Sequence, residues 1–196
     1  STTDLEVLST LRLCAYRPVF AENADLLATP SKNRSIVVWD TSDPEHPVKQ
    51  HTLKGAHIND PYLVRFTQDA KTLVSASHAG GEIVVWTVQS ERVKKQLAPN
   101  AAALCSMDLS ADGKWVTFSD RDGCVKQLMI AESATLDTEV GHRGEVSAVA
   151  TASHAQSSSK YATVGSDGML KVWSSECIEE LASHDIDTPV QCVEFS

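Results

Sequence analysis

A hydroxyl, an imidazole and a carboxylate occur close together in the second half of the sequence, at Thr163, His142 and Asp167. Hydrolases use these side-chain types as nucleophile, general base and orienting acid. Thr163, however, lies in the middle of a run that predicts a β-strand, and no glycine-bracketed strand-to-helix turn surrounds it. The sequence therefore argues against a hydrolase, and it predicts no catalytic residue.

The elements that carry these residues belong to an internal repeat. Runs of branched apolar residues end in the same way four times, with Trp39, Trp86, Leu128 and Trp173 in equivalent places. These positions are separated by 47, 42 and 45 residues, a period typical of β-propeller blades rather than of shorter helical repeats. Each unit has three clear strand patterns and a weaker fourth, separated by Gly, Asp, Asn, Pro or Ser turns. The repeat predicts an all-β fold.

The last complete unit resembles the WD40-repeat family. Gly141 and His142 precede its first strand, Gly165-Ser-Asp-Gly168 fills a turn, and Val172 and Trp173 close its third strand. The resemblance covers nearly the whole chain and implies a WD40-type β-propeller. It therefore implies a protein that displays a binding surface.

The repeat divides the chain into four units and the start of a fifth. Their approximate bounds are 10–52, 53–97, 98–140, 141–183 and 184–196. In the last of these, Pro189 to Phe195 has the pattern of a first strand. Open propellers leave strand edges unpaired, and the family usually closes its ring with about seven blades. We therefore expect part of a larger ring, with a four-bladed ring as the alternative.

The resemblance also implies a structural network of hydrogen bonds within the fourth unit. Its members are His142, Thr163, Asp167 and Trp173. A closed series of hydrogen bonds would satisfy each buried polar group. The other units depart from this set, because the second has Gly80 in place of the Asp and the third combines Thr117 with Leu128. Those units are expected to depend more on apolar packing, and Asp167→Ala is expected to destabilise more than Gly80→Asp stabilises.

A partner-binding face is implied by the same resemblance, at the end of the propeller where the first strands begin. By register, the candidate residues are Arg12, Lys32, Asp60, Tyr62, Arg121, Glu145, Ser147 and Ser166. Tyr and Arg are frequent hot spots of protein interfaces. Each residue alone is also compatible with a solvated loop position, but the register places the group on one rim.

Composition narrows the classes of partner. The 196 residues are 42% hydrophobic and 22% charged, with a net charge of −9, which disfavours nucleic acids and anionic membranes. The odd number of five cysteines, without CxxC or zinc-like spacing, indicates reduced thiols in the cytoplasm or nucleus. We expect neither a metal site nor a cofactor, and His78 is expected to be a surface histidine.

These observations favour a non-catalytic scaffold or adaptor that binds other proteins or short peptides on the propeller face. The first alternative is a structural subunit of a large assembly, such as a coat, a ribosome-assembly complex or a ubiquitin ligase. The second is a transcriptional corepressor, because the segment from Ser35 to Val48 loosely resembles Groucho-type propellers. An enzyme would need convergent carboxylates, histidines or a metal, and the sequence offers no such set.

Overall fold

The computed structural model of the chain describes residues 16–97, 103–110, 112–131, 135–137, 141–152, 160–174, 179–188 and 190–194. The regular structure of these residues consists of sixteen β-strands in four antiparallel sheets of four strands each. Nowhere in these ranges is there a helix with the length and apolar character needed to span a membrane. The expected all-β architecture with about four blades is confirmed.

Each sheet is a meander in which successive strands are neighbours. The first sheet contains β1 (Val19–Phe20), β2 (Leu26–Ser31), β3 (Ser35–Asp40) and β4 (Val48–Lys54). The second contains β5 (Pro61–Phe66), β6 (Thr72–Ser77), β7 (Ile83–Thr87) and β8 (Arg92–Leu97). The third contains β9 (Leu104–Leu109), β10 (Trp115–Asp120), β11 (Val125–Met129) and β12 (Thr135–Asp137). The fourth contains β13 (Val146–Thr151), β14 (Lys160–Gly165), β15 (Met169–Ser174) and β16 (Glu180–Asp185).

The four repeat positions occupy equivalent places in these sheets. Each lies on the third strand and pairs with one residue of the second strand. The pairs are Trp39 with Leu27, Trp86 with Leu73, Leu128 with Val116, and Trp173 with Tyr161. Because side chains alternate between the two faces of a strand, equal pairing places the four side chains on equivalent faces. The register of the repeat is therefore confirmed strand by strand.

Apolar side chains from facing sheets form the core. The layers contain Ile36, Leu73 and Trp86 between the first and second sheets, Val85, Phe118 and Leu128 between the second and third, and Val125, Tyr161 and Trp173 between the third and fourth. Strands β6, β7 and β10 are buried along most of their length because each is covered on both faces. This packing fixes the angles at which successive sheets meet.

The first strands of the sheets lie side by side, with β5 against β9 and β9 against β13. Polar contacts join them across the sheet boundaries. Arg65 Nε donates to Asp108 Oδ1 at 3.1 Å, and the Thr151 N–H donates to Asp108 Oδ2 at 2.8 Å. The Val149 N–H donates to Ser106 Oγ at 3.1 Å. These bonds hold the later parts of the inner strands together, toward the end of the molecule where those strands finish.

One expected strand is not formed. Of the pattern from Pro189 to Phe195, the structure describes residues 190–194, which belong to none of the four sheets. A strand requires a neighbour that supplies its ladder of hydrogen bonds, and no described strand pairs with this segment. Over the described strands, the four sheets do not close into a ring.

Candidate binding face and the networks that support it

In the fourth sheet, four side chains form a continuous hydrogen-bonded series. Trp173 Nε1–H donates to Thr163 Oγ1 at 2.8 Å, and Thr163 Oγ1 lies 2.7 Å from His142 Nε2. His142 Nδ1 lies 2.9 Å from Asp167 Oδ1. A single imidazole tautomer, protonated on Nδ1, lets every group in the series donate or accept in turn. The series joins the turn before β13 to strands β14 and β15, so it sets where the first strand of this sheet begins.

Asp167 is the acidic end of this series. Its oxygens also accept the N–H groups of Arg143, at 2.9 Å, and Met169, at 3.2 Å. Partial burial raises the pKa of Asp167, but the bonds from Arg143, His142 and Met169 outweigh burial and hold it below its usual value. The ionised carboxylate therefore fixes both turns at this end of the sheet.

The second sheet has a similar series, in which the sequence places His57, Ser75 and Trp86 but gives Gly80 in place of the carboxylate. Trp86 Nε1–H donates to Ser75 Oγ at 2.8 Å, and Ser75 Oγ lies 2.6 Å from His57 Nε2. The carboxylate comes from Glu82, whose Oε2 lies 3.4 Å from His57 Nδ1 and also accepts the Ile58 N–H at 3.2 Å. Glu82 stands two residues after Gly80, and its longer side chain reaches back to the histidine. This unit was expected to depend more on apolar packing than on a polar series, but the series is present, with Glu82 as the source of its carboxylate.

Gly80→Asp is expected to destabilise the protein by about 1 kcal/mol. Gly80 has a φ of +85°, and a Cβ atom there would lie 3.0 Å from Asn59 Nδ2. Glu82 already occupies the position beside His57 that a new carboxylate would take. Urea denaturation measures the effect against Gly55→Asp, since Gly55 has a φ of +87° but no atom within 4 Å of the Cβ position. A variant more stable than the unsubstituted protein would contradict the role assigned to Glu82.

The third sheet lacks the series, and the assignment of Thr117 to it is wrong. Thr29, Ser75 and Thr163 each stand two residues after the partner of the repeat position, and the equivalent residue of the third sheet is Phe118. Thr117 is one residue away and faces the opposite side of the sheet. There its hydroxyl accepts a hydrogen bond from Gln127 Nε2 at 3.1 Å. Phe118 is instead buried in the apolar layer against the second sheet.

At the end where the inner strands begin lies an open cavity of about 750 Å³, called the cup. Its lining residues are Tyr16, Arg17, Asn59, Asp60, Tyr62, His78, Ala79, Cys105, Arg121, Glu145, Ser147 and Gln191. They come from the segment before β1, from the starts of β5, β9 and β13, and from the turns after β6 and β10. The cup therefore depends on the packing of the second, third and fourth sheets against one another and against the segment before β1.

An aromatic cluster forms one side of the cup. The rings of Tyr16 and Tyr62 meet edge to face, with centroids 5.5 Å apart, and the His78 ring lies 5.7 Å from Tyr62. The Arg17 guanidinium lies 5.1 Å from the centroid of the Tyr62 ring, within the range of a cation–π contact. His78 Nδ1 bonds to the Leu104 carbonyl at 2.8 Å. His78 is thus half-buried and joins two sheets, contrary to the expectation of a surface histidine.

The other side of the cup carries Cys105, Arg121 and Glu145. The Cys105 thiol donates to Glu145 Oε1 at 3.4 Å. Burial and the neighbouring Glu145 carboxylate raise the pKa of Cys105 to about 12, so the thiol stays protonated at neutral pH. Arg121 and Glu145 are exposed, whereas Cys105 is buried beneath them. This side can offer charged hydrogen-bonding groups but no activated thiolate.

The structure brings five of the eight candidate residues together in the cup: Asp60, Tyr62, Arg121, Glu145 and Ser147. Lys32 and Ser166 are exposed outside it, although the Ser166 N–H bonds to the Glu145 carbonyl at 2.8 Å. Arg12 lies outside the described residues. Sequence reasoning missed Tyr16 and Arg17, which precede β1 where no histidine marks the register.

The described residues show no other chemical centre at the cup. Within the ranges given above, no group of three or more His, Cys, Asp or Glu side chains is arranged to hold a metal ion. A second cavity of about 400 Å³ lies at the opposite end of the inner strands, beside Phe20, Arg65 and Asp108. Arg65 and Asp108 are already paired with each other there, at 3.1 Å. The cup is therefore the stronger candidate for a binding site.

Comparison with known proteins agrees with this geometry. The family described as "WD domain, G-beta repeat" matches residues 133–174, which include the whole series of the fourth sheet. Over 160 residues the chain is 25% identical to telomerase protein component 1 of Mus musculus and 24% identical to that of Rattus norvegicus. Each alignment covers 79% of this chain and 6% of the relative, so the chain spans a small part of these proteins. The match identifies a WD40 repeat at residues 133–174, and the repeating four-stranded sheets with their shared register have the architecture of WD40 propeller blades.

Proposed function

We propose that this chain is a non-catalytic interaction domain that binds a segment of a partner protein in the cup. WD40 repeats generally mediate protein–protein interactions within complexes. The observation that carries the proposal is the convergence on one cavity of aromatic and charged side chains from the segment before β1 and from the second, third and fourth sheets. Its volume of about 750 Å³ suits several side chains of a bound segment, since ligand cavities typically measure about 300–1,000 Å³.

The chemistry of the cup supports binding rather than catalysis. Its only described thiol, Cys105, has its pKa raised to about 12, the opposite of an activated nucleophile. The triad-like residues His142 and Thr163 are buried, and the Thr163 hydroxyl is held between the indole N–H of Trp173 and the imidazole. Thr163 is therefore poorly placed to attack a substrate.

A structural role in a large assembly is the second candidate. The rodent relatives are named as a telomerase component, and this name favours the hypothesis that the chain acts as part of a complex. The outer strands also carry exposed apolar side chains, such as Val48 in β4 and Leu181 in β16, which are 63% and 49% exposed. A subunit held through these outer edges would bind without the cup. The cysteine pattern supports a place in the cytoplasm or nucleus for either role.

Tyr62→Ala and Arg121→Glu are each expected to reduce recovery of a native partner by about tenfold or more. Both side chains line the cup, and Tyr and Arg anchors typically contribute 2 kcal/mol or more, roughly thirtyfold in affinity, at interface hot spots. The measurement is quantitative mass spectrometry of proteins cross-linked to the tagged protein in cell extract. Thermal unfolding of each variant establishes that the fold is retained.

Matched controls carry the same changes away from the cup. Phe20→Ala removes a 65% exposed aromatic ring at the opposite end, and Arg92→Glu reverses a charge on β8. Both are expected to leave recovery unchanged. If the two cup variants retained their partners while Val48→Glu or Leu181→Glu lost them, the cup would be rejected in favour of the structural role.

A further inference from the structure

We propose that the cup binds an acidic peptide segment, whose carboxylates accept hydrogen bonds from Arg17 and Arg121. This inference rests on the proposed function and specifies the chemistry of the partner. It follows from a comparison of the acidic and basic side chains that line the cup. Two of each are present, Asp60 and Glu145 against the two arginines, so their net charge does not decide the polarity of the ligand.

The acidic side chains of the cup already accept hydrogen bonds from within the protein. Asp60 Oδ1 accepts the Arg34 N–H at 3.1 Å. Glu145 Oε1 accepts the Cys105 thiol at 3.4 Å, and that thiol remains a donor because its pKa is raised to about 12. Each carboxylate therefore uses part of its capacity to accept hydrogen bonds within the protein, before a ligand binds.

The two arginines of the cup have no comparable partner. Among the residues that the structure describes, neither Arg17 nor Arg121 forms an ion pair, whereas Arg65 at the opposite end is paired with Asp108 at 3.1 Å. A guanidinium presents a planar fork of N–H donors that matches the two oxygens of a carboxylate. The two guanidinium groups are consequently the charged groups of the cup whose hydrogen-bonding capacity is least used within the protein.

The position of Arg17 also suits a carboxylate. Its guanidinium carbon lies 5.1 Å from the centroid of the Tyr62 ring, and a guanidinium in cation–π contact keeps its N–H edge available for an acceptor. The edge-to-face rings of Tyr16 and Tyr62 offer apolar contact beside that edge. A segment with an acidic side chain next to an apolar or aromatic one would fill both features.

The net charge of −9 is expected to restrict binding to those acidic peptides that fit the cup. The overall field repels anionic ligands at long range, so an acidic segment gains affinity only through short-range bonds to the two guanidinium groups. Polyanions that do not fit the cup are expected to bind poorly. The proposal thus concerns acidic peptides of defined sequence rather than acidic polymers in general.

A random dodecapeptide library displayed on phage and selected on the immobilised protein tests this inference. We expect the enriched peptides to share at least one Asp or Glu beside an apolar residue. Arg17→Gln and Arg121→Gln are each expected to weaken binding of a synthetic enriched peptide about tenfold or more, because charge-assisted hydrogen bonds are lost. Arg92→Gln, which removes the same charge from β8, is expected to leave the affinity unchanged. Replacing the shared acidic residue of the peptide by its amide should weaken binding equally.

Enrichment of basic or uncharged peptides, no enrichment, or full affinity in both arginine variants would overturn the inference. These outcomes are separable from failure of the proposed function. If a native partner requires Tyr62 but the library yields no acidic peptides, the cup is an interaction site with a different ligand. If acidic peptides bind through the arginines but no native partner requires Tyr62 or Arg121, the preference of the cup for acidic peptides is supported and the proposed function is contradicted.

Discussion

Asp167→Ala is expected to lower the free energy of unfolding by about 2–4 kcal/mol, because the buried His142 ring and two turn N–H groups lose a charged acceptor. The substitution leaves His142 Nδ1 and the N–H groups of Arg143 and Met169 without the carboxylate that accepts them at 2.9–3.2 Å. The His142 side chain is fully buried and the Asp167 side chain is 11% exposed, so water replaces these bonds poorly. Urea denaturation followed by tryptophan fluorescence measures the change.

Asp122→Ala is the matched control for this loss. Asp122 occupies the equivalent turn of the third sheet, but it is exposed and that sheet lacks the hydrogen-bonded series. Its replacement is expected to change stability by less than about 0.5 kcal/mol, as is usual for surface positions. Equal midpoints for the Asp167 and Asp122 variants would refute the bracing role of Asp167.

Lowering the pH is expected to remove the difference in the free energy of unfolding between the unsubstituted protein and Asp167→Ala. The folded-state pKa of Asp167 is lowered from the ordinary value of 3.8, so its stabilisation is fully present above that value. The contribution is lost as pH falls through the lower pKa of the folded state. The stability difference is therefore expected to be constant near neutral pH and to shrink below about pH 4. A difference that grew on acidification would contradict the direction of the shift.

The repeat could be predicted because its signal is strictly local. Trp39, Trp86, Leu128 and Trp173 recur at one register, and a strand register is strongly specified wherever one face is buried. The error at Thr117 has the same physical origin. A shift of one residue moves a side chain to the opposite face of the sheet, so a hydroxyl of the right type in the wrong register cannot join the series.

The cup was only partly predictable, because its parts converge from distant positions. Tyr62 and Arg121 followed from the register of their strands, whereas Arg17 reaches Tyr62 from the segment before β1, where no motif marks the alignment. Glu82 was missed for a different reason. It stands immediately before β7, two residues after Gly80, and only the length of its side chain brings the carboxylate to His57. Side-chain reach and packing between sheets are not encoded in a periodic pattern.

Gly123→Ala is expected to destabilise the protein by at least about 3 kcal/mol, because the new methyl group would displace main-chain atoms. Gly123 joins the third sheet to the fourth, and its carbonyl accepts the N–H groups of Gly141 and His142, each at 3.0 Å. A Cβ atom there would lie 2.3 Å from the His142 carbonyl oxygen and 3.0 Å from that of Gly144. Relief of these contacts must move the backbone of His142, and with it the imidazole that bridges Thr163 and Asp167.

Gly168→Ala is the control for Gly123→Ala. It distinguishes the steric clash at Gly123 from the energetic cost that any non-glycine residue has at a positive φ. Gly168 has a φ of +75°, but the nearest atom to its Cβ position is 3.7 Å away. Its replacement is therefore expected to destabilise by only about 1 kcal/mol, the usual penalty for a non-glycine residue in this conformation. Chemical denaturation compares the two variants, and the NMR signals of the His142 ring report whether the series survives.

Because moving His142 also shifts the start of β13, Gly123→Ala should weaken binding in the cup, whereas Gly168→Ala should preserve it. Equal stability of the two variants, with the His142 signals unshifted in both, would contradict this prediction. It would show that the backbone around Gly123 accommodates the methyl group without moving His142.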